Sequence, residues 1–246
     1  MLTDYAEVLR QARRFGSPSL FLGYGFSAGV IPELPEALSR LSTAGPAAST
    51  EDSLTVLIRR LLDVHPKLPK CITNEGYVAA RTFLAPYPSI FTIDPCLPLH
   101  WARNKDELGP KSFEKRDGFL GLAWRGQDAV DQEVHCLHGG LHLYDGEEEV
   151  KKLAYKKGGK TIMQQVRSRL DKGKDPLLVL DPTSEGRAHR IDNHPYLSYC
   201  FDCWQGQSTA VVFVGHDFAD HDAHLITGLS KSAVKKVFVS LEGAPG

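Results

Sequence analysis

The chain has 246 residues, enough for one large domain to bury a core. Hydrophobic residues make up 42% and charged residues 24%, and 29 Lys and Arg against 30 Asp and Glu leave a formal net charge of −1. That composition is globular. Its charge balance excludes a whole-molecule field drawing the chain to nucleic acid or anionic lipid.

Residues Thr3 to Phe15 read as an amphipathic helix, with Tyr5, Val8, Leu9 and Ala12 on one face and Thr3 or Asp4 as cap. The run from Ser19 to Gly23 (SLFLG) reads as a buried strand feeding a glycine turn. A weak helix is expected over Pro35 to Leu41. A second helix, capped by Asp52 or Ser53, runs to Val64 on the stripe Leu54, Leu57, Ile58, Leu61 and Leu62. A helix over Glu75 to Leu84, with Thr73-Asn74 as its cap, precedes a buried strand from Ser89 to Ile93. Residues Asn104 to Asp117 are polar and loop-like, and Phe119 to Trp124 reads as strand. Residues Glu133 to Tyr144 (EVHCLHGGLHLY) read as two short strands around Gly139-Gly140. The charged segment Asp145 to Lys174 holds one helix near Thr161 to Leu170, and its lysines (Lys151, Lys152, Lys156, Lys157, Lys160) read as a solvated loop. A strand at Leu177 to Leu180, a helix at Pro195 to Trp204 and a strand at Ala210 to Gly215 follow. A short helix at Asp222 to Leu229 and a strand at Lys236 to Ser240 close the chain.

Apolar strands alternating with helices argue for an α/β domain on a mostly parallel sheet with helices on both faces. A single domain is expected over 1–246, with a small helical or loop insertion at 32–88 and a charged loop region at 145–174. No apolar run suits a signal peptide or a membrane span of about 20 residues, so a cytoplasmic protein without membrane partners is expected. The five cysteines include one lone C-x-x-C (Cys200, Cys203) with Cys71, Cys96 and Cys136 scattered. They lack the second pair of a closed zinc site and read as reduced core thiols.

Four segments could carry chemistry. Gly23, Gly25 and Gly29 follow the first core strand. Their turn could admit a pyrophosphate to backbone amides, or simply end the strand, since the spacing is not the dinucleotide fingerprint. His135, His138 and His142 crowd one short stretch. In a hairpin His138 and His142 would share a face opposite His135. The segment Gly215 to His224 (GHDFADHDAH) follows a strand and reads equally as a nucleotide pocket or a capped helix start. A divalent-metal site at Asp220, His221 and His224 is the lesser reading. Asp94 stands at the tip of the strand that carries Thr92. It could hold a ribose hydroxyl, act in acid–base work, or belong to an Asp-Pro turn.

In order and spacing, LGYGFS (Leu22 to Ser27), FTIDPCLPLHW (Phe91 to Trp101), HGGLHL (His138 to Leu143) and GHDFADHDAHL (Gly215 to Leu225) resemble one known pattern. They look like the motifs of a sirtuin-like bacterial family, domain-of-unknown-function family 4917, with PLLVLDPTSEG and PYLSYC in support. This chain would be a divergent and shortened member. The resemblance implies a Rossmann-like, sirtuin-type fold with NAD as substrate or ligand, and hydrolysis of NAD to nicotinamide and ADP-ribose in a phage-defence or stress setting. It makes His138 and Asp94 the catalytic pair, with Asp94 standing where the family has Asn. The nucleotide contacts it implies are Gly23, Tyr24, Gly25, Phe26, Ser27, Thr92, Gly139, Gly215, His216, Asp217 and Asp222, with no metal. Tyr24, Cys96 and Asp217 replace the family's Asn, Asp and Ser, and the region from Ala28 to Leu54 is short. The alternatives are a degenerate domain that binds a nucleotide or a partner without turnover and, less favoured, a metal-dependent hydrolase. Homo-oligomerisation stays open.

Overall fold

The computed structural model describes residues 4–29, 58–59, 61–63, 74–103, 115–155 and 158–240. In chain order the elements begin with α1 (Tyr5–Ala12), β1 (Ser19–Leu22), α2 (Gly25–Ala28), α3 (Asn74–Leu84), β2 (Ile90–Thr92) and α4 (Pro98–Arg103). Then come β3 (Phe119–Leu120), β4 (Ala123–Trp124), β5 (Val134–Cys136), β6 (Leu143–Asp145), β7 (Val150–Lys152) and α5 (Ile162–Leu170). The last are α6 (Ser184–Asp192), α7 (Pro195–Gln205), β8 (Ala210–Val214), α8 (Ala223–Ser230) and β9 (Lys236–Val239).

Five strands form one sheet in the order β5-β2-β1-β8-β9, and every pairing in it is parallel. A parallel sheet must be covered on both faces, and the period-2 alternation of the strands does this. Leu20, Leu22, Ile90, Ala210 and Val212 pack on one side with Ala12, Tyr77, Leu84, Met163 and Val166, from α1, α3 and α5. Phe21, Phe91, Val211 and Phe213 pack on the other with Ile191, Tyr196, Leu197, Trp204 and Leu225, from α6, α7 and α8. The chain starts in the middle at β1, moves out through β2 to β5, then returns to the far side of β1 as β8. The order therefore reverses between β1 and β8, and the loops leaving those two strands diverge from that point.

A second, antiparallel sheet, β3-β4-β7-β6, lies outside the parallel one. The segment from Glu133 to Tyr144 holds the two expected short strands, but they do not pair as a hairpin: β5 joins the parallel sheet and β6 the antiparallel one. Lys151 and Lys152 lie in β7 rather than a solvated loop, and the Lys152 ammonium donates to Asp117 at 2.6 Å, which also pairs with Arg103. Residues Leu177 to Leu180 form no strand. They make one isolated bridge, Leu178 to Gly139, and their backbone hydrogen-bonds to His138, Gly140 and Leu143. The helix at Pro35 to Leu41, most of the helix ending at Val64, Cys71, Lys156 and Lys157 lie outside the described residues. Cys96, Cys136, Cys200 and Cys203 are free thiols. Among the described residues no helix is long and apolar enough to cross a membrane.

Candidate functional site

The carboxyl ends of β1, β2, β5 and β8 bring the four sequence segments together. Gly23 and Gly215 end the two strands that flank the reversal, and their loops touch. The Gly25 amide donates to the Gly215 carbonyl at 2.9 Å, and a Cβ on Gly23 would collide with that same oxygen. Gly215 has φ +66°, a left-handed conformation, and a Cβ there would come within 2.7 Å of Gly25 Cα. Glycine at both positions lets the two loops close on each other.

This closeness changes the expected role of the glycine turn. The amides of Gly23, Gly25 and Phe26 donate to the carbonyls of Val214, Gly215 and Gly23, and the Ser27 amide donates to Asp94 Oδ2 at 3.0 Å. In this arrangement those amides hold the fold and are not free to cradle a pyrophosphate. Phe26 packs on the core. Thr92 donates its hydroxyl to the Leu22 carbonyl and accepts the Asp94 amide, tying the tips of β1 and β2 together. Asp94 accepts the Cys96 amide on Oδ1 at 2.9 Å as well as Ser27 on Oδ2. Burial pushes its carboxyl up to about 6 against the lowering effect of those hydrogen bonds.

Around the tip of β5 the side chains are polar and buried. His138 Nε2 lies 3.0 Å from His224 Nε2 and 4.0 Å from Asp222 Oδ1. Asp222, at the start of α8, takes Arg187 from α6 on Oδ1 at 2.5 Å, with His216 at 3.5 Å and His221 at 3.7 Å from Oδ2. His216 Nδ1 accepts the Phe218 amide, so the ring proton is on Nε2 and points toward Asp222. Phe218 itself, at φ +55°, is the non-glycine residue with positive φ in the described chain, and the strain marks this turn. Burial alone would raise the Asp222 carboxyl, but His216, His138 and Arg187 outweigh it and hold the group below the usual carboxylate range. Burial drives His138 well below the usual imidazole value. Asp222 opposes that shift, and Arg187, His224 and His216 reinforce it. Tyr24, half-buried in the glycine turn, feels the charges of Asp222, Arg187 and Asp94, and burial raises its phenol.

Loops far apart in the chain thus meet at His138, Tyr24, His216 and Asp222. The other two histidines of the β5 region lie elsewhere. His135 stacks on Phe91 with ring centroids 4.7 Å apart, and His142 meets His100 at 4.4 Å. Gly139, at φ +73°, packs under the Leu177 carbonyl and aims the turn that carries His138. Asp217 is exposed and its carboxylate accepts the Ala219 amide. Among the described residues two sets could approach a cation, His138 with Asp222 and His224, and His216 with Asp217 and Asp222. Neither is the sequence-based set of Asp220, His221 and His224. Both share Asp222, whose Oδ1 already carries the Arg187 guanidinium, so an ion would enter beside a fixed positive charge. Sequence reasoning missed Arg187 and Ser184. Arg187 is 35 positions from Asp222, and nothing in SEGRAH announces a buried cation.

A family profile described as Domain of unknown function (DUF4917) matches residues 47–244, and the chain belongs to that family. The matched span holds Asp94, His138, Arg187, His216, Asp222 and His224, and begins after the glycine turn. No curated protein matches the chain.

Proposed function

We propose that this family member binds NAD at the carboxyl rim between β1 and β8, on a Rossmann-like fold of sirtuin type, and hydrolyses it to nicotinamide and ADP-ribose. The reading joins the motif resemblance to one observation, the buried His138 imidazole whose Nδ1 has no hydrogen-bond partner among the described residues. Ligands of open α/β sheets occupy the rim where the strand order reverses, and His138 stands on that rim. In the reaction water attacks C1′ of the nicotinamide ribose and the C1′–N bond breaks. Its electron pair leaves with nicotinamide, and one proton is released. His138 Nδ1 takes that proton from the attacking water or from a ribose hydroxyl. Asp222, tied to Arg187, fixes the polar cluster beside His138.

In this reading Asp94 positions the tip of β2, its oxygens accepting the Ser27 and Cys96 amides. That fact also favours a second reading, in which the domain binds the nucleotide without turning it over. Chromatographic assay of nicotinamide release from NAD separates the two. The hydrolase reading expects turnover by the wild type and a loss of at least roughly 100-fold in kcat for His138→Ala, with cooperative melting retained. A folded wild type that binds ADP-ribose but releases no nicotinamide would leave the second reading in its place.

A further inference from the structure

The His138 and His224 rings face each other through Nε2 at 3.0 Å. Two lone pairs or two N–H groups repel at that distance, so one proton lies between the rings. His224 Nδ1 lies 3.3 Å from Ser184 Oγ, which also accepts the His224 backbone amide at 2.8 Å. Ser184 begins α6 and is half-buried between the exposed Thr183 and Glu185. A chain of hydrogen bonds therefore runs from the ring of His138, whose Nδ1 has no hydrogen-bond partner among the described residues, to the edge of solvent.

Two proton arrangements satisfy this chain. In the first, His138 Nε2 donates to His224 Nε2, His224 Nδ1 donates to Ser184 Oγ, and His138 Nδ1 bears a lone pair. In the second, Ser184 Oγ donates to His224 Nδ1, His224 Nε2 donates to His138 Nε2, and His138 Nδ1 holds the proton. Going from the first to the second takes one proton in at His138 Nδ1 and sends one from Ser184 Oγ to water. No group in the chain is charged before or after.

We propose that His224 is a positioning residue that relays protons between His138 and Ser184, so that His138 accepts a substrate proton without becoming a buried cation. The proposal rests on the reading of His138 as the group that meets the ribose. An isolated imidazolium at this depth is costly. The charges facing His138 are Asp222, already matched by Arg187, with His216 and His224, and those facing His224 are Asp222, Arg187 and His221. The relay avoids the cation altogether.

The test uses the full chain labelled with 15N, together with steady-state kinetics on NAD. Nitrogen-15 NMR of the imidazoles should show a coupling across the hydrogen bond between the His138 and His224 Nε2 atoms, lost in His224→Gln. With NAD, His224→Gln and Ser184→Ala should lower kcat, the former by roughly 100-fold, with KM nearly unchanged. Rates in mixed light and heavy water should bow for the wild type, reporting several protons in flight, and become linear for His224→Gln. Turnover without the inter-ring coupling, or a folded His224→Gln with wild-type kcat and an unchanged isotope curve, would overturn the relay alone. So would a stoichiometric metal ion held by both rings. Coupling present in a wild type that does not cleave NAD would instead overturn the hydrolase reading and leave the hydrogen-bonded chain standing.

Discussion

Both oxygens of Asp94 accept backbone amides, from Ser27 and Cys96, in a spot that water does not reach. Burial raises the carboxyl to about 6, above its unfolded value near 3.9. A group raised in this way binds its proton more tightly in the folded state. Its contribution is fully present below about pH 4 and is lost as pH rises through about 6, roughly 3 kcal/mol over the window. Asp94→Asn lacks that titration and turns one donor toward a backbone amide. Urea unfolding from pH 4 to pH 8 should therefore show the wild type losing roughly 2 kcal/mol more than the variant. Parallel pH curves would contradict the buried, amide-bound carboxyl. Asp94, His138 and His216 stood out in the sequence because polar side chains at the ends of apolar strands need a reason. Arg187 and Ser184 did not stand out, since their partners Asp222 and His224 lie 35 and 40 positions away. Only the packing of α6 against the start of α8 brings them together.

At the scale of elements, the glycine turn after β1 is held by the β8 loop, and the two act as one unit. Gly23→Ala would drive a methyl group into the Gly215 carbonyl, where backbone cannot yield as a side chain can. The expected cost is about 3 kcal/mol, at the upper end for overpacking, read from the denaturation midpoint. A variant as stable as the wild type would mean that the loops are not in contact. The strands with continuous apolar runs, β1, β2 and β8, could be read from the sequence, as could helices α1, α3, α5, α7 and α8, because burial fixes their periodicity. Two kinds of element resisted. In β7 the Lys151 and Lys152 side chains look solvated, yet Lys152 reaches Asp117 from inside the second sheet. In α6 only Arg187 and Ile191 are buried, so no apolar stripe announces the helix. The opposite error occurs at Leu177 to Leu180, where a mostly buried apolar run forms a single bridge and no regular strand. Apolarity reports burial, and strand pairing needs a free edge as well.

For the molecule as a whole, the sheet order β5-β2-β1-β8-β9 decides where the polar cluster can form. Starting at the centre and returning past β1 brings the ends of β1 and β8 together, and the tip of β5 supplies His138 to the same rim. With a near-neutral chain, the proposed binding of an anionic nucleotide would depend on this local arrangement. Parallel pairing and two covered faces were legible from the alternation of strands and helices. Strand was read at Phe119 to Trp124 and before Tyr144, but the joining of these segments with β7 into a second sheet was not, because its strands are two or three residues long and lack a repeating pattern. The central claim is that the rim between β1 and β8 receives a dinucleotide, and calorimetric titration of the folded wild type with ADP-ribose tests it most directly. One saturable site per chain, weakened by Arg187→Ala in a variant that still melts cooperatively, is the expected result. A cooperatively folded wild type that takes up no heat with ADP-ribose and none with NAD would contradict it.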